Sequence, residues 1–427
     1  MNIPLKMNRD FEKAMAALNE RYGEDFEFLN GFHETQLNFS DFIDGFIDKN
    51  VADVTIDANA NASNKDIRSL LNEKGKSHDK LFAFNKIFYE MKKRYNLRTA
   101  KEWLETEYNG GFYLHDASTS TYLPYCYAYD LSRLATEGLF FLKNYNNQAP
   151  RHLTTFMDDV IEYISYMSNR SSGAVGIPNV LIWTYYFWKK DCESGHIIKD
   201  PEYYIKQCFQ KFIYRLNQPF MRIDQTAFVN VSIFDRNYIE ALFGGVQYPD
   251  GSYVIDCVEE LIEHQKLFME VVSQIRSENM FTFPVLTYSL LYRDGKFVDE
   301  NFARWCSDHN TTWNDSNFFI SGDVNTLSNC CRLLSDTSKL NAFINSIGGT
   351  ALSIGSVKVN TINLMRIALE TECDEKKYLA LLKKRALLCC KTLDTVRHII
   401  HRNIEKGLLP NYQEGAAVLH NGHPRSV

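Results

Sequence analysis

Apolar residues recur at helical spacing through Leu81, Phe82, Phe84, Ile87, Phe88 and Met91, with lysine and arginine on the opposite side. That is an amphipathic pattern with one buried stripe, and it predicts two or three successive helices between Lys65 and Tyr108. A shorter helical stretch, Phe11 to Glu24, comes first, and the Asn- and Asp-rich run Asp48 to Lys65 reads as a connection. Gly110 and Gly111 break the helical period. Phe112 to Tyr129 then alternates short aromatic runs with a Ser/Thr patch, which suits a strand, a loop and a return. Asp158 to Asn169, Glu202 to Leu216 and Val258 to Ser277 read as long helices, while Phe228 to Phe234, Phe281 to Tyr288 and Phe318 to Ser321 read as strands. Helix and strand alternate, which predicts an α/β architecture with largely buried strands.

Composition narrows the class. The 427 residues are 45% hydrophobic and 14% aromatic, too apolar for disorder or a fibrous repeat. The length fits two or three domains, or one large closed α/β unit. Lys plus Arg number 47 against 53 Asp plus Glu, a net charge of −6. These charges form no long runs, so nucleic acid is not an expected partner. No apolar run approaches the roughly 18 to 20 residues of a membrane span, and Met1 to Asp10 has no signal core. A cytoplasmic location without membrane attachment is therefore expected. The ten cysteines are scattered and contain no CxxC pair, so reduced thiols are expected and a structural zinc or other metal site is not.

The unusual chemistry is concentrated late in the chain. Between Asn301 and Asn363 there are ten asparagines around the doublet Cys330, Cys331. Uncharged polar residues at this density fit either a long surface loop or a site that holds a hydroxyl-rich ligand through neutral hydrogen bonds. Adjacent cysteines rarely pair with each other, and the second doublet, Cys389 and Cys390, lies in a Leu- and Lys-rich stretch that reads as packing. The Gly348, Gly349 and Gly355, Ser356 turns could present backbone amides to phosphate. Asn230, Ser232 and Asn329 could bond ribose or phosphate, and His115 beside Asp116 could do so or form a local structural bond.

Several of these stretches occur in one order: Gly111-Phe112-Tyr113-Leu114-His115-Asp116, Tyr122 to Asp130 with Cys126, Ser171-Ser172-Gly173-Ala174, Phe228-Val229-Asn230-Val231-Ser232, Phe281-Thr282-Phe283-Pro284, Ser328 to Leu333, and Val359 to Leu364. As an ordered set, running from about Asn61 to Asn411, the chain resembles the anaerobic, glycyl-radical (class III) ribonucleoside-triphosphate reductases. The resemblance implies a ten-stranded α/β barrel of two half-barrels with a central finger loop over residues 63–412. It implies a lead-in over 1–62 with no recognisable ATP-cone, and a divergent tail over 413–427. It also implies anaerobic reduction of ribonucleoside triphosphates to deoxyribonucleoside triphosphates. Laying Ser328 and Asn329 on the family's Ser-Asn-x-Cys pattern puts the thiyl radical on Cys331 rather than Cys330. Cys126 matches the thiol on the opposite sugar face. Asn329, Cys330, Asn230, Ser232, His115, Gly348, Gly349, Gly355 and Ser356 become candidates for substrate binding.

Gly355 to Asn360 holds no further cysteine, so the likeness favours formate over thioredoxin as reductant. The family's glycyl-radical segment, reading like Arg-Val-x-Gly-Tyr, and its zinc domain with two cysteine pairs are not found in 1–427. The expectation is the first part of an interrupted reductase, completed by a separate C-terminal glycyl-radical fragment. The radical would be generated by an activase that uses S-adenosylmethionine and an iron-sulfur cluster. Nucleotide effectors and a homodimer are further implied partners, with helices between Lys65 and Tyr95 suited to effector binding. The rivals are a pyruvate formate-lyase-like enzyme, which also has adjacent cysteines, and a truncated nucleotide-binding chain without catalysis.

Overall fold

The computed structural model describes residues 6–22, 67–142, 147–197, 199–218, 220–222, 226–279, 281–328, 334–336, 355–409, 419–420 and 423–424. It divides into two compact units: one of Met1–Asp53, Ala62–Tyr125 and Val357–Leu409, the other of Val54–Asn61, Cys126–Ser356 and Pro410–Val427.

The first unit is mainly helical. Helices Arg9–Tyr22, Ile67–Arg94 and Leu97–Tyr108 are followed late in the chain by Leu364–Glu370 and Glu375–Glu405. The apolar stripe visible in the sequence is its core: Phe84, Ile87, Phe88 and Met91 are fully buried. Phe84 stacks on Trp103 at 5.1 Å and Phe88 meets Phe11 edge-on at 5.6 Å. Cys389 is buried and Cys390 exposed on helix Glu375–Glu405, so that doublet straddles the edge of a packing face. Strand β1 (Phe112–Leu114) pairs antiparallel with β11 (Asn360–Ile362). The expected return strand does not close a hairpin on β1, because β2 (Cys126–Ala128) belongs to the second unit's sheet.

That sheet has seven strands. In parallel lie β2, β3 (Val175–Gly176), β4 (Val229–Phe234), β5 (Val285–Arg293) and β7 (Ser316–Ser321), with the short β10 (Gly355–Ser356) antiparallel on β2 and β6 (Lys296–Phe297) antiparallel on the end of β5. Helices Leu153–Ser168, Val180–Glu193, Pro201–Leu216, Arg236–Phe243, Val258–Glu278 and Glu300–Trp313 make the crossovers, as parallel pairing requires. Asp235 shows how one residue joins levels: one carboxylate oxygen caps helix Arg236–Phe243 by accepting from Tyr238 N at 3.0 Å, and the other accepts from Leu291 N of β5 at 2.7 Å. Strand β5 begins at Val285 rather than Phe281, since Pro284 has no amide hydrogen for a ladder.

Two features depart from the sequence reading. Helix Val180–Glu193 has no polar side in its first half, where Val180 through Phe187 are all buried. A helix enclosed all round carries no amphipathic period to read. The asparagine-rich region also contains helix Glu300–Trp313, and several of its asparagines serve the ends of elements. Asn314 takes the left-handed C-cap of that helix, Asn310 Oδ1 accepts from Ser316 N at 3.0 Å, and Asn363 caps helix Leu364–Glu370. For these described asparagines the enrichment reflects capping. Among the described residues this sheet has seven strands, and no closed ten-stranded barrel is formed.

Candidate active site

The register of the large sheet separates its two faces. Tyr127, Val175 and Val229 are lateral partners, continued along the strands by Val231, Ile233, Leu286, Tyr288 and Leu290. These residues are apolar and buried, while Phe318 and Ile320, which continue the face onto β7, are exposed. The opposite face carries Cys126, Ala128, Gly176, Asn230, Ser232, Thr287 and Ser289, with Ser356 directly opposite Cys126 on β10. The residues named are small or neutral polar and Val285 and Phe234 adjoin them on the same face, yet Cys126, Asn230, Ser232, Thr287, Ser289 and Ser356 are each at most 5% exposed. A sheet face that is polar and still shielded from water is the expected construction of an enclosed ligand site. Gly176 keeps the face shallow: a Cβ there would sit 3.2 Å from both Cα and Cβ of Ala128.

The polar groups on this face are held in place. Asn230 Nδ2 donates to Val285 O at 3.1 Å and Thr287 Oγ1 at 3.4 Å, which fixes its amide plane against β5. Cys126 Sγ accepts from Ala174 N at 3.2 Å, a bond that does not commit the thiol's own hydrogen. Beyond the C-terminal ends of β2 and β3, Asp130 Oδ1 accepts from Ser132 N, Ser132 Oγ and Asn179 Nδ2 at 2.8, 2.6 and 2.7 Å. Asn179 Oδ1 accepts in turn from Leu131 N at 3.1 Å. Burial raises the Asp130 carboxyl above its ordinary range while these bonds oppose the rise. Neither residue stood out in the sequence, although an aspartate closing an apolar strand-like run marks such a loop.

Of the sequence candidates, Cys126, Ser356, Asn230 and Ser232 thus share one face, and Gly355 pairs with Tyr127 beside them. His115 lies in the other unit, where its Nε2 is 2.8 Å from Thr361 Oγ1 across β1 and β11. Asn329, Cys330, Cys331, Gly348 and Gly349 lie outside the described residues. The backbones of β8 (Thr326–Ser328) and β9 (Leu334–Asp336), on either side of the Cys330, Cys331 doublet in sequence, pair antiparallel with Ser328 opposite Leu334.

A second set of ionisable groups, not singled out in the sequence, is buried in the first unit. Desolvation pushes the Glu107 carboxyl up to about 7, even though Leu114 N and Trp103 Nε1 donate to it and Lys80 and Lys358 bring positive charge. Burial likewise pulls Lys358 down to about 7 and Lys80 to about 8, opposed by Asp116 and Glu107. Lys358 Nζ donates to His115 O at 2.5 Å. The available signal was a lysine inside the apolar run Val357 to Val359, and a glutamate on the Trp103, Leu104, Tyr108 face of its helix.

The profile of the anaerobic ribonucleoside-triphosphate reductase family matches residues 72–425. The chain belongs to that family. It is similar to the anaerobic ribonucleotide reductase of Thermotoga maritima in complex with dATP and CTP, at 38% identity and a TM-score of 0.84, over 99% of this chain and 67% of that one. The same enzyme with dATP bound in the specificity site matches at 39% identity and a TM-score of 0.82, with the same coverage. A further anaerobic ribonucleotide reductase structure matches at 39% identity and a TM-score of 0.84, over 99% of this chain and 65% of that one. The chain thus spans about two thirds of these relatives. No curated protein matches it. The family consists of oxidoreductases that reduce ribonucleoside triphosphates, and the α/β fold described above is similar to theirs. Among the described residues no helix is long and apolar enough to cross a membrane.

Proposed function

We propose that the chain reduces ribonucleoside triphosphates to 2′-deoxyribonucleoside triphosphates by thiyl-radical chemistry, with formate as reductant. The observation that carries the reading is the buried neutral face, on which Cys126 stands opposite Ser356 and in line with Asn230 and Ser232. A ribose with its hydroxyls suits such a face, and exclusion of water protects a radical from quenching. The five parallel strands β2, β3, β4, β5 and β7 would be one half of a ten-stranded barrel, with antiparallel β10 opening the second half. The family match favours this reading over a lyase-like one.

In the reaction, the Cys331 thiyl takes the 3′ hydrogen atom of the ribose, and the 2′ hydroxyl then leaves as water with one proton. Cys126 delivers a hydrogen atom from its S–H to C2′, leaving a 3′ ketone and a Cys126 thiyl. Formate gives its hydrogen atom to that thiyl, the remaining electron with a proton turns the 3′ ketone into a 3′ radical, and this radical takes its hydrogen back from Cys331. Formate is oxidised to carbon dioxide, so formate, a proton and the ribonucleotide yield carbon dioxide, water and the deoxyribonucleotide. Asn230, Ser232, Asn329 and Cys330 would orient the sugar, with the Gly348, Gly349 and Gly355, Ser356 backbone and His115 as phosphate-binding candidates. A glycyl-radical segment outside 1–427 would supply the oxidising equivalent, loaded by an activase that uses S-adenosylmethionine and an iron-sulfur cluster. The zinc domain would accompany that segment. Nucleotide effectors and a homodimer complete the assembly, and the relatives' dATP and CTP complexes support the nucleotide partners.

The test is anaerobic conversion of CTP to dCTP with formate, activase, S-adenosylmethionine and reductant, with and without an added C-terminal glycyl-radical fragment. Turnover with the fragment, dependent on formate and abolished by Cys331→Ala while CTP still binds, is expected. A fragment that acquires its radical without turnover would instead favour a non-catalytic nucleotide-binding chain. Thioredoxin-supported turnover without formate would overturn the choice of reductant.

A further inference from the structure

Asp191 lies in the last turn of helix Val180–Glu193 and is only 1% exposed. Its ion-pair partner among the described residues is an imidazole, with His152 Nδ1 2.8 Å from Oδ1. The second oxygen accepts from Leu153 N at 2.9 Å, the first amide of helix Leu153–Ser168. The chain then doubles back. Gly195 takes a left-handed φ of 73° with open space where a Cβ would be. Its N–H donates to Cys192 O at 3.2 Å, and Ile197 N donates to Asp191 O at 3.1 Å. This C-terminal turn lays the exposed His196 on His152, their rings stacked at 3.9 Å and 21°. One donor atom from each of His152, Asp191 and His196 lies within 4.8 Å of the other two.

We propose that His152, Asp191 and His196 bind a divalent transition ion of the zinc class. Two imidazoles and one carboxylate are ligands that zinc, cobalt and nickel prefer and that calcium and magnesium do not. Bonds of about 2.0 to 2.2 Å need donor atoms roughly 3.3 Å apart in a tetrahedral arrangement. The His152 and Asp191 pair is already near that separation, and His196, on the surface, can rotate to close the set. The fourth position faces the solvent side, where water completes the shell. On loading, the cation takes the place of the hydrogen bond between His152 Nδ1 and Asp191, and the neutral ring carries its proton on Nε2. Helix capping by Asp191 explains its own bonds but not why His196 is turned back over them. The ion would clamp the start of one crossover helix to the end of the next, two helices that pack on each other.

The chain's ten cysteines compete for zinc, so the probe is Co²⁺, whose spectrum distinguishes the donors. Thiolate ligands give an intense near-ultraviolet charge-transfer band, whereas a His₂Asp site gives only visible ligand-field bands. The wild-type chain should bind one Co²⁺ with the second spectrum, be displaced by Zn²⁺, and melt at a higher temperature with Zn²⁺ than without. His196→Ala removes only an exposed ring and should leave the metal-free melt unchanged. It should weaken Co²⁺ binding by at least about tenfold and cancel the Zn²⁺ shift. Equal Co²⁺ affinity in His196→Ala, or a spectrum that is thiolate alone, would overturn the proposal. None of these readouts needs turnover, so they are independent of the reductase reading.

Discussion

Replacing Glu107 by glutamine isolates the energetic cost of one buried carboxyl. Glu107 closes helix Leu97–Tyr108, is fully buried, and burial pushes it up to about 7 from its ordinary 4.5. At about 1.36 kcal/mol per pH unit this difference corresponds to about 3 kcal/mol. Because the folded carboxyl keeps its proton to higher pH than the unfolded one, its contribution to stability is full below about 4.5. It is lost as pH rises through about 7. Lys358 has the opposite sign: pulled down by burial from 10.5 to about 7, its contribution is present above 10.5 and lost as pH falls through about 7. Glutamine preserves the shape and removes only the acid. Urea unfolding of both proteins at pH steps from 4.5 to 8, followed by circular dichroism, should show wild type losing about 3 kcal/mol relative to Glu107→Gln between pH 4.5 and 7. A constant offset from changed hydrogen bonds with Leu114 and Trp103 is not the signal; the slope is. A difference independent of pH across that range would refute the burial argument.

Two further outcomes test the sheet. Ile233 points to the fully buried apolar face of β4, so Ile233→Ala should cost about 2 to 5 kcal/mol in urea unfolding; a loss under 1 kcal/mol would mean that face is not packed as described. Cys126→Ser can still accept from Ala174 N but is a far poorer hydrogen-atom donor. Turnover should fall on the order of a thousandfold or more with CTP affinity nearly unchanged, and retained turnover would remove Cys126 from the reaction.

Local chemistry was legible in the sequence wherever a side chain's environment depends on its near neighbours. The stripe through Phe84, Ile87, Phe88 and Met91 became the core of its unit. Helix Pro201–Leu216 begins within one residue of the expected Glu202, and Val258–Glu278 starts at the expected residue, because caps and period are properties of adjacent positions. The ordered motifs were enough to indicate the reductase family. Helix Val180–Glu193 was not legible, since enclosure on every side erases the period that amphipathicity would write.

What the tertiary structure decided is which distant residues share a surface. The alternation in β4 shows that Asn230 and Ser232 point the same way, but only the register of β10 on β2 sets Cys126 opposite Ser356 on that side. Glu107 looked like one more helical acid until Trp103, Leu114 and Lys358 closed around it. His152 and His196 are separated in sequence by two helices, and the left-handed turn at Gly195 stacks them. Periodicity records the direction a side chain takes from its own backbone. Pairing register and chain reversal, which depend on contacts far along the chain, determine what it meets there.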